Sequence, residues 1–173
     1  LQQPHRPNEA IHAFQKYLGT KDKTYAAEVH YRLGYLFFNT KQQQKAILIF
    51  EKYLRTKDKT YTNEVLYQLG FLYIGTKQQQ KAVQIFENYL STKDKTYTNE
   101  VLYQLGFLYI ESKQPKKAIQ IFENYLSTKD KTYVGEVLYQ LGFLYIEAKQ
   151  QKKAVQIFEN YLSTKDKTYV GEV

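Results

Sequence analysis

The chain has no cysteine, no methionine and no tryptophan, and only three prolines in 173 residues. Without cysteine there can be no disulfide and no thiolate metal site, whatever the redox compartment. Without methionine Leu1 is not a natural start, so we expect a piece of something longer. No apolar run approaches the roughly 18–20 residues of a membrane span. Nor is there a block of five like charges, although the formal net charge is +8. A basic balance can attract nucleic acid or an anionic lipid surface. Here Lys93 and Lys95 flank Asp94, and the units also carry Glu64 and Glu87, which favours a solvated surface.

What the chain has instead is repetition. The pentapeptide Lys-Asp-Lys-Thr-Tyr begins at Lys21, Lys57, Lys93, Lys129 and Lys165, every 36 residues. A fixed period of this length marks a solenoid or array. Residues 60–95 and 96–131 differ only at 75/111, 76/112, 79/115, 80/116 and 83/119. The chain closes on Thr-Tyr-Val-Gly-Glu-Val, the opening of another unit. Both ends therefore read as cuts through a longer array.

Within a unit, Val65, Leu66, Leu69, Leu72 and Tyr73 form a helical stripe, and Ala82, Val83, Ile85, Phe86, Tyr89 and Leu90 form a second. Gln80, Lys81, Gln84, Glu87 and Asn88 form the solvated side of that second helix. Each unit is thus two helices, A and B, and the fold class is all-α. The expected layout of residues 1–173 is a single array. A lone B helix spans 7–18. Four A–B units follow at 24–59, 60–95, 96–131 and 132–167. A further A helix starts at 168–173. Thr60 reads as an N-cap of helix A, with Glu64 near the positive end of its dipole. Pro7 and Pro115 suit the first turn of a B helix. Gly34, Gly70, Gly106 and Gly142 lie inside A helices, where glycine costs about 1 kcal/mol relative to alanine. Close approach of helix B is the expected compensation, with Ala46, Ala82, Ala118 and Ala154 as counterparts.

Leu69-Gly70, Tyr73, Ala82 and Phe86 resemble the tetratricopeptide repeat, or TPR. That family has a Leu-Gly pair, an aromatic three residues on, a small residue twelve on and an aromatic sixteen on. Leu33-Gly34, Phe37, Ala46 and Phe50 match in the same way. The unit is longer than the usual 34 residues or so, Asp94 stands where the family has proline, and Tyr89 stands where a small residue is usual. The phrase from Ala10 to Leu18 is similar to TPRs of bacterial envelope proteins, which points to a bacterial periplasm or envelope.

The resemblance implies a right-handed TPR-type α-solenoid of antiparallel helix pairs, whose A helices line a concave groove. Asn63, Glu64, Tyr67, Gln68, Phe71 and Ile74 fall on the groove positions. The implied protein-binding residues are Glu64, Tyr67, Gln68 and Phe71, then Glu100, Tyr103, Gln104 and Phe107, then Glu136, Tyr139, Gln140 and Phe143. Tyr67 and Phe71 stand where a carboxylate clamp would carry lysine, arginine or asparagine, so that clamp is not supported. Tyr73 and Tyr89 read as core.

No catalytic, cofactor or metal site is expected. His5, His12 and His30 lack metal-ligand spacing. Gly70 to Lys77 approximates a phosphate loop, but its last two residues are reversed and no strand precedes it. The expected function is a non-catalytic interaction module or scaffold that binds a protein or peptide segment. A second reading is a structural or engineered array that associates head-to-tail, with Ile11 and Phe14 exposed at one end and Tyr161 and Leu162 keeping the apolar pattern of the interior units at the other. A third is an RNA-binding helical repeat, against which identical units would read identical bases. No membrane insertion is expected.

Overall fold

A computed structural model describes residues 6–130 and 132–164. Among the described residues there are nine α-helices and no strand. They are α1 (Arg6–Gly19), α2 (Ala26–Asn39), α3 (Gln43–Leu54), α4 (Thr62–Gly75), α5 (Gln79–Ser91), α6 (Thr98–Glu111), α7 (Pro115–Ser127), α8 (Val134–Glu147) and α9 (Gln151–Ser163). The even-numbered helices are the A helices and the odd-numbered ones the B helices. The expected A helix at 168–173 lies outside the described residues.

The helices divide into two compact units, Leu1–Thr92 and Lys93–Val173. In the first, α1 packs on α2, α2 on α3, α3 on α4 and α4 on α5. In the second, α6 packs on α7, α7 on α8 and α8 on α9. Contacts run between consecutive helices, as in a solenoid. The core is the stripe read from the sequence: Val65, Leu69, Ala82, Phe86 and Tyr89 are fully buried, as are Val101, Leu105, Phe122 and Tyr125. Tyr73 and Tyr89 are core residues, as expected. Ile11 is not exposed at the array's end; it is buried, because α1 lays its apolar side on α2.

The mid-helix glycines do make room for helix B, and what comes nearest to each is its phenylalanine. A Cβ at Gly70 would lie 2.2 Å from Phe86 Cε1, and one at Gly106 would lie 2.1 Å from Phe122 Cε1. Gly34 and Gly142 meet Phe50 and Phe158 in the same way. The phenylalanine sixteen residues on, rather than the alanine twelve on, lies over each glycine.

Helix A ends by a common device with an uncommon residue. Lys41, Lys77, Lys113 and Lys149 have φ of 56–59°. The N–H of Lys77 donates to the Ile74 carbonyl at 2.9 Å, and that of Gln78 to the Tyr73 carbonyl at 2.8 Å. This is a Schellman motif, whose left-handed position glycine usually fills. Pro115 opens α7, as its position in the unit led us to expect.

Helix A begins differently from expectation. The N-cap of α4 is Tyr61, not Thr60, and no side chain caps it. The repeated pentapeptide does the work instead. Asp58 Oδ1 accepts the Thr60 N–H at 2.7 Å, turning the chain. The Tyr61 N–H then donates to the hydroxyl of Tyr53 at 2.7 Å. Tyr133 donates to Tyr125 at 2.9 Å, and Tyr25 to Tyr17 at 2.9 Å. So Asp takes the turn that the family gives to proline, and a buried tyrosine of helix B receives the incoming backbone. The hydrogen bonds from Thr60 hold the Asp58 carboxyl below its ordinary value.

Candidate functional site

On an A helix, Glu64, Tyr67, Gln68 and Phe71 stand at i, i+3, i+4 and i+7 and therefore share one face. All four are half-buried, as are Glu100, Tyr103, Gln104, Phe107, Glu136, Tyr139 and Gln140. Phe143 is more open, at 41% exposure. Every expected site residue is therefore partly accessible, and none is sealed in the core.

The glycine fixes how the rings stand. Because Gly70 has no side chain, Phe86 of α5 lies flat against α4. The ring of Phe71 meets Phe86 edge-on at 5.5 Å, and Tyr67 meets Phe71 edge-on at 4.9 Å. In α6, Phe107 meets Phe122 at 5.5 Å and Tyr103 meets Phe107 at 5.0 Å. In α8, Phe143 meets Phe158 at 5.3 Å and Tyr139 meets Phe143 at 5.0 Å. Tyr31, Tyr35 and Phe50 repeat the pattern in α2 and α3, at 4.9 and 5.4 Å. These are the favoured edge-to-face contacts of aromatic pairs. Each face is thus a rigid aromatic ridge rooted in the core.

The tyrosines of this face also join consecutive repeats. Tyr31 stacks on Tyr61 at 3.9 Å, and Tyr103 stacks on Tyr133 at 4.2 Å. The Tyr103 hydroxyl donates to Glu136 Oε2 at 2.6 Å. Nearby, Asn99 Nδ2 donates to Asp130 Oδ2 at 2.9 Å. The last residue of the pentapeptide is therefore the stacking partner of the face tyrosine before it. That double role was not read from the sequence. The 30-residue step from Tyr31 to Tyr61 and from Tyr103 to Tyr133 was its only signal.

A second polar link was also missed. The Tyr73 hydroxyl donates to Glu51 Oε1 at 2.5 Å, and that of Tyr145 to Glu123 Oε1. Burial, then the neighbouring carboxylate, pushes both phenols up, Tyr145 to about 12. These pairs tie the B helix of one unit to the A helix of the next, away from the tyrosine–phenylalanine face. No group of three or more metal-ligating side chains occurs among the described residues. No helix among them is long and apolar enough to cross a membrane.

The family models decide the matter. A tetratricopeptide-repeat model matches residues 64–92, 100–128 and 136–164, half of the chain, and a second such model matches 27–60. The chain belongs to the tetratricopeptide repeat family. Its fold is the all-α TPR solenoid, and TPR arrays are protein-interaction scaffolds, in general without catalysis of their own. No curated protein matches the sequence.

Among solved structures, the chain is similar to MamA, at 22% identity with a TM-score of 0.69 over 97% of this chain and 87% of that one. A MamA from Desulfovibrio magneticus RS-1 gives 20% identity and a TM-score of 0.62, over 90% and 84%. YrrB, described as a TPR protein with an unusual peptide-binding site, gives 17% identity and 0.71, over 96% and 81%. Likeness at this level of identity speaks to the fold.

Proposed function

We propose that residues 1–173 act as one array that holds a peptide or protein segment along its A-helix face. Glu64, Tyr67, Gln68 and Phe71, with their counterparts 36 and 72 residues on, make the contacts. The carrying observation is the edge-on tyrosine–phenylalanine pair, held at 4.9–5.0 Å on α4, α6 and α8. Clustered, partly exposed aromatics of this kind mark interaction surfaces. Rigid rings also lose little conformational freedom on binding. The peptide-binding site named for YrrB is consistent with this reading. We do not propose a nucleic-acid partner, because no block of five like charges occurs and near-identical units would read identical bases.

The test is capture from a displayed peptide library by the wild type and by a Tyr67/Tyr103/Tyr139→Ala variant. Peptides enriched by the wild type should be lost by the variant while its circular dichroism stays helical. Equal enrichment by a folded variant would remove the face from consideration.

A second reading is head-to-tail association of chains. It is favoured by Phe143, Ile146, Val155 and Leu162, which are exposed in α8 and α9, whereas Phe71, Ile74, Val83 and Leu90 are half-buried. Such a contact is heterologous and can propagate as a filament. Sedimentation across a wide concentration range should show association that weakens in Val155→Lys/Leu162→Lys. A monomer at every concentration would end this reading.

A further inference from the structure

The first compact unit has an open crevice of about 490 Å³ between α1, α2 and α3, on the side where its B helices face solvent. Its floor is apolar, built from Leu18, Leu33, Phe37 and Ile49, and Leu48 stands on its wall at 51% exposure. Lys45 and Lys52 complete the α3 wall.

The crevice is where this chain departs from its own repeats. Leu48 replaces the glutamine found at 84, 120 and 156, and Lys52 replaces the asparagine found at 88, 124 and 160. Gly19 stands where the later B helices carry Arg55, Ser91 and Ser127, and a Cβ there would meet nothing within 4 Å. The equivalent junctions at α3–α4 and α7–α8 carry the Tyr73–Glu51 and Tyr145–Glu123 hydrogen bonds. Here both partners are changed together, to Phe37 and Gln15. No phenol remains to donate and no carboxylate to accept. The changes remove a polar link, remove a side chain, and add an apolar group and a cation, all around one opening.

Charge spacing selects the occupant. Lys45 and Lys52 are seven residues apart on one helix, about 10 Å along its axis, with Leu48 and Ile49 between them. No carboxylate pairs with either lysine among the described residues. Lys45 Nζ reaches the Gln42 amide oxygen at 2.7 Å and sits 5.5 Å over the Phe37 ring. A single-headed amphiphile would engage one lysine and leave the other idle. A peptide in the polyproline II conformation has three residues per turn and rises about 3.1 Å per residue, so carboxylates three residues apart lie on one side and span about 9 Å. We propose that this crevice is a second binding site, for a short acidic peptide segment that carries a bulky apolar side chain between two carboxylates.

The probe is a fluorescein-labelled peptide, Ser-Glu-Leu-Phe-Glu-Ser, followed by anisotropy with the full 173-residue chain. Binding should saturate, weaken with added salt, and fail when both glutamates of the probe become glutamine. Leu48→Gln/Lys52→Asn should weaken it by about tenfold or more. That variant installs residues the chain already carries in its other repeats, so folding is not at stake. Tyr67/Tyr103/Tyr139→Ala should leave this binding intact, which separates it from the A-helix face. The proposal is overturned if the probe does not saturate, if the glutamine version binds as well, or if Leu48→Gln/Lys52→Asn binds like the wild type. It is equally overturned if laurate occupies the crevice while the peptide does not.

Discussion

Gly106 costs its helix about 1 kcal/mol against alanine, and the ring of Phe122 fills the space a side chain would take. The two residues act as one packing element, and the ring in turn sets the angle of Phe107 and Tyr103. Gly106→Leu should therefore overpack the α6–α7 contact and lower stability by about 1–3 kcal/mol. A denaturant melt checks this, and an unchanged midpoint would contradict the packing argument. Lys113 is the opposite case. It holds a left-handed backbone at φ 56°, which costs an ordinary side chain roughly 1–2 kcal/mol. Glycine adopts that backbone without strain but has more freedom to lose on folding. Lys113→Gly should still stabilise by about 1 kcal/mol, read as a raised midpoint in the same melt. A lowered midpoint would mean that Lys113 makes a contact worth more than its strain.

At the scale of the element, the helix ends are built from the pentapeptide and the buried tyrosines rather than from side-chain caps. The α7–α8 junction is also held by the Tyr145–Glu123 hydrogen bond, and α3–α4 by Tyr73–Glu51. These phenols make the fold sensitive to alkali in a defined window. Tyr145 is pushed up to about 12 in the folded protein, while an unfolded tyrosine titrates near about 10. Below pH ~10 both states keep the proton, and the contribution is whole. Between about 10 and about 12 the unfolded chain loses its proton first, so stability falls as pH rises. The thermal midpoint should drop across that window, and Tyr73→Phe/Tyr145→Phe should flatten the drop. A slope identical to that of the wild type would assign the alkaline sensitivity to other groups.

For the whole molecule, contacts between consecutive helices predict local failure. Gly142→Leu should collapse protection from hydrogen exchange in α8 and α9, where a Cβ at 142 would meet Phe158 at 2.4 Å. Amides of α2 and α3 should keep theirs. Equal loss along the chain would show a single cooperative unit instead. Leu33, Phe50 and Tyr53 repeat 36 residues on, so most of the chain's individuality lies outside the deepest core. The first unit carries it most strongly, through Gln15, Gly19, Phe37, Leu48 and Lys52.

The sequence by itself determined the period, the pairing of helices, the buried stripe and the family. Each follows from the 3.6-residue spacing of apolar side chains, copied every 36 residues, and from Leu-Gly, Ala and Phe at fixed offsets. It placed Tyr73 and Tyr89 in the core for the same reason, and it put the site residues on one face of helix A. It could not choose between Ala82 and Phe86 as the partner of Gly70, because both are compatible with a close approach. Nor could it see that Tyr61 stacks on Tyr31, that Tyr53 receives the Tyr61 N–H, or that Phe37 and Gln15 together leave a crevice open. Those depend on which helices meet and on how far apart their side chains stand. Periodicity gives a residue its face, but only the packed neighbour gives it a partner.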